Sequence, residues 1–273
     1  MEKGDLIGKG REAEIIYWGN NRVLKLFFKT FSRDWVDYQF KVNSLVEKKF
    51  PNCPKAFEKI EDNGRFAIIY EYIEGITLNE FMGKKLKNMG KSLRMLAEIH
   101  VDMHKHIIKD IHTQKNKLEY EINQTNLIDE DQKKEVIQHL EKLPDGNIIC
   151  HSDFHPDNII ISKNKLFVVD WANACSGHPN GDVSRTYYII KYGLSPSDEV
   201  FMKKSFMHRF LYRTAKGRAA KIYLNHYLKL TIISLKEIRK WDLPTFAARL
   251  REGISLENKN LQKMILKKLK KHK

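Results

Sequence analysis

Nowhere in this chain do apolar residues run uninterrupted for the ~20 positions that a membrane-spanning helix needs, so the sequence reads as soluble, with no membrane partner. Cysteine is scarce. Cys53, Cys150 and Cys175 stand far apart, without the C-x-x-C spacing of a zinc site or the density of a disulfide framework, and read as buried or half-buried thiols. No leader is legible either: Met1-Glu2-Lys3-Gly4-Asp5 is charged and runs straight into a patterned segment, which predicts a cytoplasmic location. Acidic residues are outnumbered, 34 Asp and Glu against 49 Lys and Arg, for a net charge of +15. Such a field attracts polyanions whatever the fold. The excess is dispersed, however, and its densest run, Lys267-Lys268-Leu269-Lys270-Lys271-His272-Lys273, resembles a solvated helix end more than a nucleic-acid-reading surface.

Internal repeats and low-complexity linkers are also absent, but the periodicity changes part-way. Glu14-Ile15-Ile16-Tyr17-Trp18 and Arg22-Val23-Leu24-Lys25-Leu26-Phe27-Phe28 are β-branched and aromatic stretches joined by Gly19-Asn20-Asn21, which is hairpin chemistry. Residues 34–48 carry apolar positions at helical spacing and stop before Pro51 and Pro54. A second hairpin turns at Glu61-Asp62-Asn63-Gly64 into Phe66-Ala67-Ile68-Ile69-Tyr70-Glu71-Tyr72-Ile73. Beyond Gly75 the pattern is helical: Leu93, Leu96, Ala97, His100, Met103 and Ile107 recur every three or four residues, a polar helix is predicted around 117–142, and helices return at 187–192, 205–239 and 256–271. A short β segment at 148–170 interrupts them. The expectation is an α+β chain with two lobes, a small antiparallel sheet with one inserted helix at 1–75 and a larger, mainly helical lobe at 76–273.

The chemistry is concentrated in that interruption. His151-Ser152-Asp153-Phe154-His155-Pro156-Asp157-Asn158 leads into Ile159-Ile160-Ile161-Ser162, a Lys163-Asn164 turn, and Lys165-Leu166-Phe167-Val168-Val169-Asp170-Trp171. If the two apolar stretches pair as a hairpin, Asn158 and Asp170 return to each other at its open end, beside the loop that carries Asp153. Hard oxygen ligands of this kind suit Mg²⁺ bound to phosphate oxygens better than zinc.

H-x-D-x-x-x-x-N followed by an aspartate on the next strand resembles the catalytic loop and metal-binding aspartate of the kinases. The text departs from protein kinases: Asp170 precedes Trp171-Ala172 instead of Phe-Gly, no Ala-Pro-Glu segment follows, and Ser152, not Arg, precedes Asp153. These departures resemble the aminoglycoside phosphotransferase and choline kinase family, as does Gly181-Asp182-Val183-Ser184-Arg185, similar to a segment that braces the family's catalytic loop. The resemblance implies a protein-kinase-like fold and transfer of the γ-phosphoryl group of ATP, or GTP, to a hydroxyl of a small molecule such as an aminoglycoside, amino alcohol or sugar. Asp153 would be the base that orients the acceptor hydroxyl, Asn158 and Asp170 would hold Mg²⁺, and His151 would fix the loop. Gly8 and Gly10, in Leu6-Ile7-Gly8-Lys9-Gly10, would approach the phosphates. Lys25, a charge inside an apolar strand, would meet the α- and β-phosphates, with Gln39 at the position of the usual helix glutamate and Asp37 or Glu47 as substitutes. Glu71 and Ile73 would offer backbone groups to the adenine.

His100 and His104 lie one helical turn apart, but no third ligand is evident, so they read as packing residues under the loop. Tyr187, Tyr188 and Tyr192 likewise read as a helix face against the core. Glu119, Glu121, Asp129, Glu130 and Asp131 are candidates for an acidic acceptor surface. The segment from Trp241 to Leu250 is similar to a stretch near the end of bacterial relatives. Two other readings stay open: a kinase-like binding protein without turnover, of the spore-coat type, and a charge-driven nucleic-acid-binding module. The oligomeric state is not encoded in any pattern found here.

Overall fold

Asparagine and glycine close the hairpins of the first sheet, because these residues accept the left-handed backbone that tight turns require. In the computed structural model, which describes residues 4–85, 87–194 and 205–272, Asn20 and Asn21 have φ of 47° and 60°, and Asn63 and Gly64 have φ of 51° and 69°. They join β2 (Ala13–Tyr17) to β3 (Arg22–Phe27) and β4 (Ala56–Asp62) to β5 (Arg65–Glu71). With β1 (Leu6–Lys9), these strands form an antiparallel sheet in the order β1-β2-β3-β5-β4. The alternation of β3 sends Leu24 and Leu26 to one face, against Ile16, Ala67 and Ile69. Phe27 goes to the other, against Ala13, Ile68 and Val36 of helix α1 (Arg33–Glu47). Lys25 shares that second face. Ser32 caps α1, its hydroxyl accepting from the Trp35 amide at 3.3 Å.

The chain divides into two compact units, and the first is discontinuous: it joins the segment through Phe81 to Asp157–Ala174. This differs from the boundary expected at residue 75, and the reason is a strand pairing. The short β6 (Ile76–Thr77) pairs with β8 (Ile159–Ser162), which forms a hairpin with β9 (Lys165–Val168) through Lys163 and Asn164, at φ 44° and 66°. Gly75 permits the approach, since a Cβ there would lie 2.2 Å from the Ile161 carbonyl oxygen. Asn52 adds a clasp, its side chain donating to the Leu166 carbonyl at 2.6 Å and its carbonyl accepting from Val168 at 2.8 Å.

The second unit is mainly helical, with α3 (Asn88–Met103), α4 (Gln114–Asn123), α5 (Glu130–Glu141), α6 (Pro179–Tyr192), α7 (Phe206–Leu230), α8 (Leu235–Lys240), α9 (Asp242–Arg249) and α10 (Ser255–His272); α2 (Leu78–Lys84) spans the boundary. The polar helix expected at 117–142 is two helices, because Asp129 and Gln132 form a capping box that starts α5 afresh. The helix expected at 205–239 likewise breaks after Leu230 and restarts where Ser234 caps α8. The β segment expected at 148–170 is also divided. β7 (Ile148–Cys150) pairs with β10 (Cys175–Gly177) inside the second unit, whereas β8 and β9 belong to the first.

Every residue of α9 is buried. Leu243, Phe246 and Ala247 pack with Ile122 of α4, Val136 of α5 and Ile265 of α10. Tyr188 joins this core, its ring 5.1 Å from that of Phe246, which is the packing role read for the tyrosine cluster. Among the described residues no helix is long and apolar enough to cross a membrane.

Candidate active site

Lys25 is the half-buried centre of a polar chain within the first unit. Its side chain is 13% exposed, and its ammonium donates to Asp170 Oδ1 at 2.9 Å and to Gln39 Oε1 at 3.3 Å. Gln39 in turn donates from Nε2 to Glu12 Oε2 at 3.0 Å. Gln39 thus stands where the helix partner of Lys25 was expected. The proposed substitutes are engaged elsewhere: Asp37 pairs with Lys59, and Glu47 accepts from the Ala56 amide at 2.7 Å. Asp170 supplies the carboxylate instead. Glu12, which follows the glycine loop and had not been singled out, is the further acidic member.

Asp170 sits two residues past the end of β9 with φ 64° and ψ 67°, a left-handed conformation that aspartate tolerates better than most residues. The Val169 amide donates to the Asn158 carbonyl at 2.9 Å, so Asn158 and Asp170 do flank the open end of the β8–β9 hairpin. Gly8 lies in β1 and Gly10 just after it, where its amide donates to the Ala13 carbonyl at 2.9 Å. A Cβ added at Gly8 or Gly10 would meet Ile15 at 3.7 Å or Ala13 at 3.8 Å, which is ordinary contact. The chain's own packing therefore does not require glycine at either position. Glu71 ends β5 with its amide donating to the Lys55 carbonyl at 2.9 Å, and Ile73 lies just beyond it.

Asp153 belongs to the second unit, on a loop held from below by Asp182 of α6. One Asp182 oxygen accepts from the His151 amide and the other from the Ser152 amide, both at 2.8 Å. Ser152 has φ 62°, so this grip fixes a backbone turn that serine seldom adopts. Arg185 donates from Nε to the Ser152 carbonyl at 3.1 Å and pairs with Glu252, which pairs with Arg249. His151 Nδ1 accepts from the Asp153 amide at 3.3 Å.

The expected absence of a third group beside His100 and His104 is corrected here. Asp182 Oδ2 lies 3.1 Å from His100 Nε2 and 3.2 Å from His104 Nε2, a spacing that a cation site shares. On their other sides, Nδ1 of His100 meets the Tyr223 hydroxyl at 2.6 Å and Nδ1 of His104 the Tyr227 hydroxyl at 2.8 Å. The assignment that satisfies every atom has both Nε2–H groups donating to Asp182. Burial, reinforced by the close approach of His104, pushes His100 down to about 3, so its imidazole is neutral. Burial alone would raise the Asp182 carboxyl, but hydrogen bonds from both histidines hold it well below the usual range. A buried carboxylate with four donors is a rigid anchor, and the His100 ring stacks under Phe154 of the loop with centroids 4.0 Å apart.

Asp153 itself is half-buried, with His155 Nε2 3.6 Å from Oδ2. Burial acts to raise its carboxyl, but the His155 hydrogen bond and charge, with the charges of Arg185 and His151, outweigh it and hold the group below the carboxylate range. Of the acidic residues expected on an acceptor surface, two are spent on structure. Glu121 is buried against Lys117 and Arg251, and Asp129 caps α5, whereas Glu130 pairs with Lys133 but keeps 87% of its side chain exposed.

The model of the phosphotransferase enzyme family matches residues 7–214, which takes in both the glycine loop and the Asp182 anchor. The chain belongs to this family. Among solved structures, it is similar to the apo form of a thermostable mutant of aminoglycoside phosphotransferase APH(4)-Ia, with a TM-score of 0.67 and 13% identity over 99% of this chain and 95% of the other. An aminoglycoside-3'-phosphotransferase of type VIII gives a TM-score of 0.57 and 12% identity over 90% and 93%. A thermostable APH(4)-Ia mutant in a ternary complex with AMP-PNP and hygromycin B gives 0.54 and 14% over 92% and 94%. No curated protein matches. At these identities the structures establish the protein-kinase-like fold.

Proposed function

We propose that the protein transfers the γ-phosphoryl group of ATP, or GTP, to a hydroxyl of a small molecule. The observation that carries this reading is the pairing of half-buried Lys25 with Asp170 at 2.9 Å, next to Asn158, in a unit whose loop glycines are not demanded by packing. Lys25 provides a positive charge for phosphate oxygens, and Gly8 and Gly10 leave backbone free to approach them. Asn158 and Asp170 offer oxygen donors, Asp170 with 48% of its side chain exposed, which fits Mg²⁺ in chemistry and access. When bound, Mg²⁺ neutralises charge on the transferring phosphoryl group. The backbone at the end of β5 and just past it, at Glu71 and Ile73, is the proposed adenine contact.

Asp153 is assigned to the acceptor. A carboxyl held below the ordinary range is a weak base, so its work is to accept a hydrogen bond from the acceptor hydroxyl and aim its oxygen, taking the proton only as the new P–O bond forms. The loose transition state of phosphoryl transfer asks for this positioning more than for early deprotonation. The Asp182 anchor and Arg185 keep the loop still while it happens. A solved structure of the same fold holds AMP-PNP with hygromycin B. Our reading carries over the nucleotide and leaves the acceptor class open, since Glu121 is buried in ion pairs and Asp129 is engaged as a helix cap.

The test is a thermal-shift titration with ATP and GTP, with and without Mg²⁺, followed by a transfer screen over aminoglycosides, amino alcohols and sugars. Ligands that bind the folded state raise the melting temperature. Mg²⁺-dependent stabilisation that disappears in Asp170→Ala, and transfer that disappears in Asp153→Asn while stabilisation remains, is the expected result. Failure of every nucleotide to stabilise the protein would replace this reading with that of a kinase-like binding protein.

A further inference from the structure

We infer that the first half of α7 is a docking surface for an anionic lipid headgroup layer. Between Glu199 and Glu237 the sequence carries no acidic residue but nine Lys and Arg. The second half of α7 is anchored: Ala219, Ala220, Tyr223, Leu224 and Tyr227 are its buried residues, and the two tyrosines bind the histidines beneath the catalytic loop. No residue of its first half is buried. There Phe206, Met207, Phe210 and Leu211 are 74%, 60%, 57% and 59% exposed. At positions i, i+1, i+4 and i+5 they share one side of the helix. Arg209 and Arg213, one turn apart, flank that side, and Lys216 follows.

An apolar stripe bordered by arginines, on a helix without acidic residues, is the composition of a segment that lies in the plane of a membrane surface. The lack of a long apolar run rules on crossing a bilayer, not on resting against one. Charge decides between the candidate occupants. A second copy of a +15 chain would bring the same positive face against this one, whereas anionic headgroups complement it. A nucleic acid would complement the arginines as well. But Met207 and Leu211 offer neither hydrogen bonds nor flat rings to a base, while both suit acyl chains.

Flotation of the full-length protein with vesicles tests the inference. Vesicles of phosphatidylcholine alone are compared with vesicles of phosphatidylcholine mixed with phosphatidylglycerol, using the native chain and the double variant Phe206→Ser with Phe210→Ser. Both side chains are exposed, so the variant should melt like the native protein. Binding to the mixed vesicles only, weakened more than roughly tenfold in the double variant, is expected, because both phenylalanine rings that would enter the acyl layer are gone. Equal binding of both proteins would assign the effect to net charge and overturn the inference. Overturning it too would be a dimer seen by sedimentation that the double variant loses, or tighter binding to a single-stranded oligonucleotide than to lipid at the same salt. None of these outcomes depends on whether the protein transfers phosphate.

Discussion

Gln39 bridges Lys25 and Glu12: its amide oxygen accepts from the ammonium at 3.3 Å while its amide nitrogen donates to the Glu12 carboxylate at 3.0 Å. An amide is the side chain that can do both, since it carries an acceptor and two donors on one group. The glutamine at the position of the usual helix glutamate is therefore matched to its surroundings.

Gln39→Glu should accordingly destabilise the protein, although it restores the usual kinase pairing. The new carboxylate would face Lys25 on one side and Glu12 on the other, and two carboxylates at about 3 Å repel unless one is protonated. We expect a loss of about 1 kcal/mol at neutral pH that shrinks on acidification, read from thermal melts at several pH values. A gain in melting temperature at neutral pH would sink the argument.

Asp182→Asn should be far more damaging than its isosteric shape suggests. All four partners of the carboxylate, the amides of His151 and Ser152 and Nε2 of His100 and His104, are donors. Three of them meet Oδ2 and only the Ser152 amide meets Oδ1, so an asparagine would turn its NH₂ at the least toward the Ser152 amide and leave buried donors unmatched, at a cost of about 3–5 kcal/mol. Urea unfolding measures it. A loss below about 1 kcal/mol would mean the loop does not depend on this anchor.

These two cases show where sequence reading reaches and where it stops. The hairpins at Asn20-Asn21, Asn63-Gly64 and Lys163-Asn164 were legible because a turn is encoded in the few residues that make it. So was the H-x-D-x-x-x-x-N loop. The Asp129–Gln132 capping box is equally local, but it lies inside a polar stretch whose helical spacing is continuous. By contrast, Glu12 meeting Gln39, Asp182 completing the histidine pair, and β6 drawing the β8–β9 hairpin into the first unit join residues 27, 82 and more positions apart. No local pattern carries such contacts.

Acid should weaken the fold earlier than its carboxylates alone would dictate. His100 is pushed down to about 3 in the folded state, whereas an unfolded histidine titrates near 6.5. Between those values the unfolded chain binds a proton that the folded chain refuses. Stability is therefore fully present above about pH 6.5 and falls as pH drops through that window, by at most about 1.4 kcal/mol per pH unit for this site. Asp182, held low when folded, adds a second loss below about pH 4, where an unfolded aspartate takes up its proton. Urea melts from about pH 7 to pH 5 should show the slope in the native chain, and His100→Gln should flatten it. A native protein equally stable at both ends would contradict the neutral assignment of His100.

His155 should govern the acid side of the activity profile without being indispensable. Its imidazole, 3.6 Å from Asp153, is the leading reason that the carboxyl stays ionised despite its partial burial. Arg185 and His151 contribute more weakly, and Glu252, near Arg185 and Arg249, opposes them. Removing the imidazole leaves burial to push the Asp153 carboxyl up, so its protonation moves toward neutral pH and the hydroxyl acceptor is lost sooner on acidification. In His155→Gln we expect transfer at neutral pH to persist and the acid limb of kcat/KM to shift upward, with Mg²⁺-nucleotide stabilisation unchanged because the nucleotide contacts we propose lie at Lys25 and Asp170. An acid limb that stays in place would show that Arg185 and His151 suffice to hold the charge. A loss of transfer at every pH, with nucleotide stabilisation intact, would instead make His155 part of the acceptor site itself.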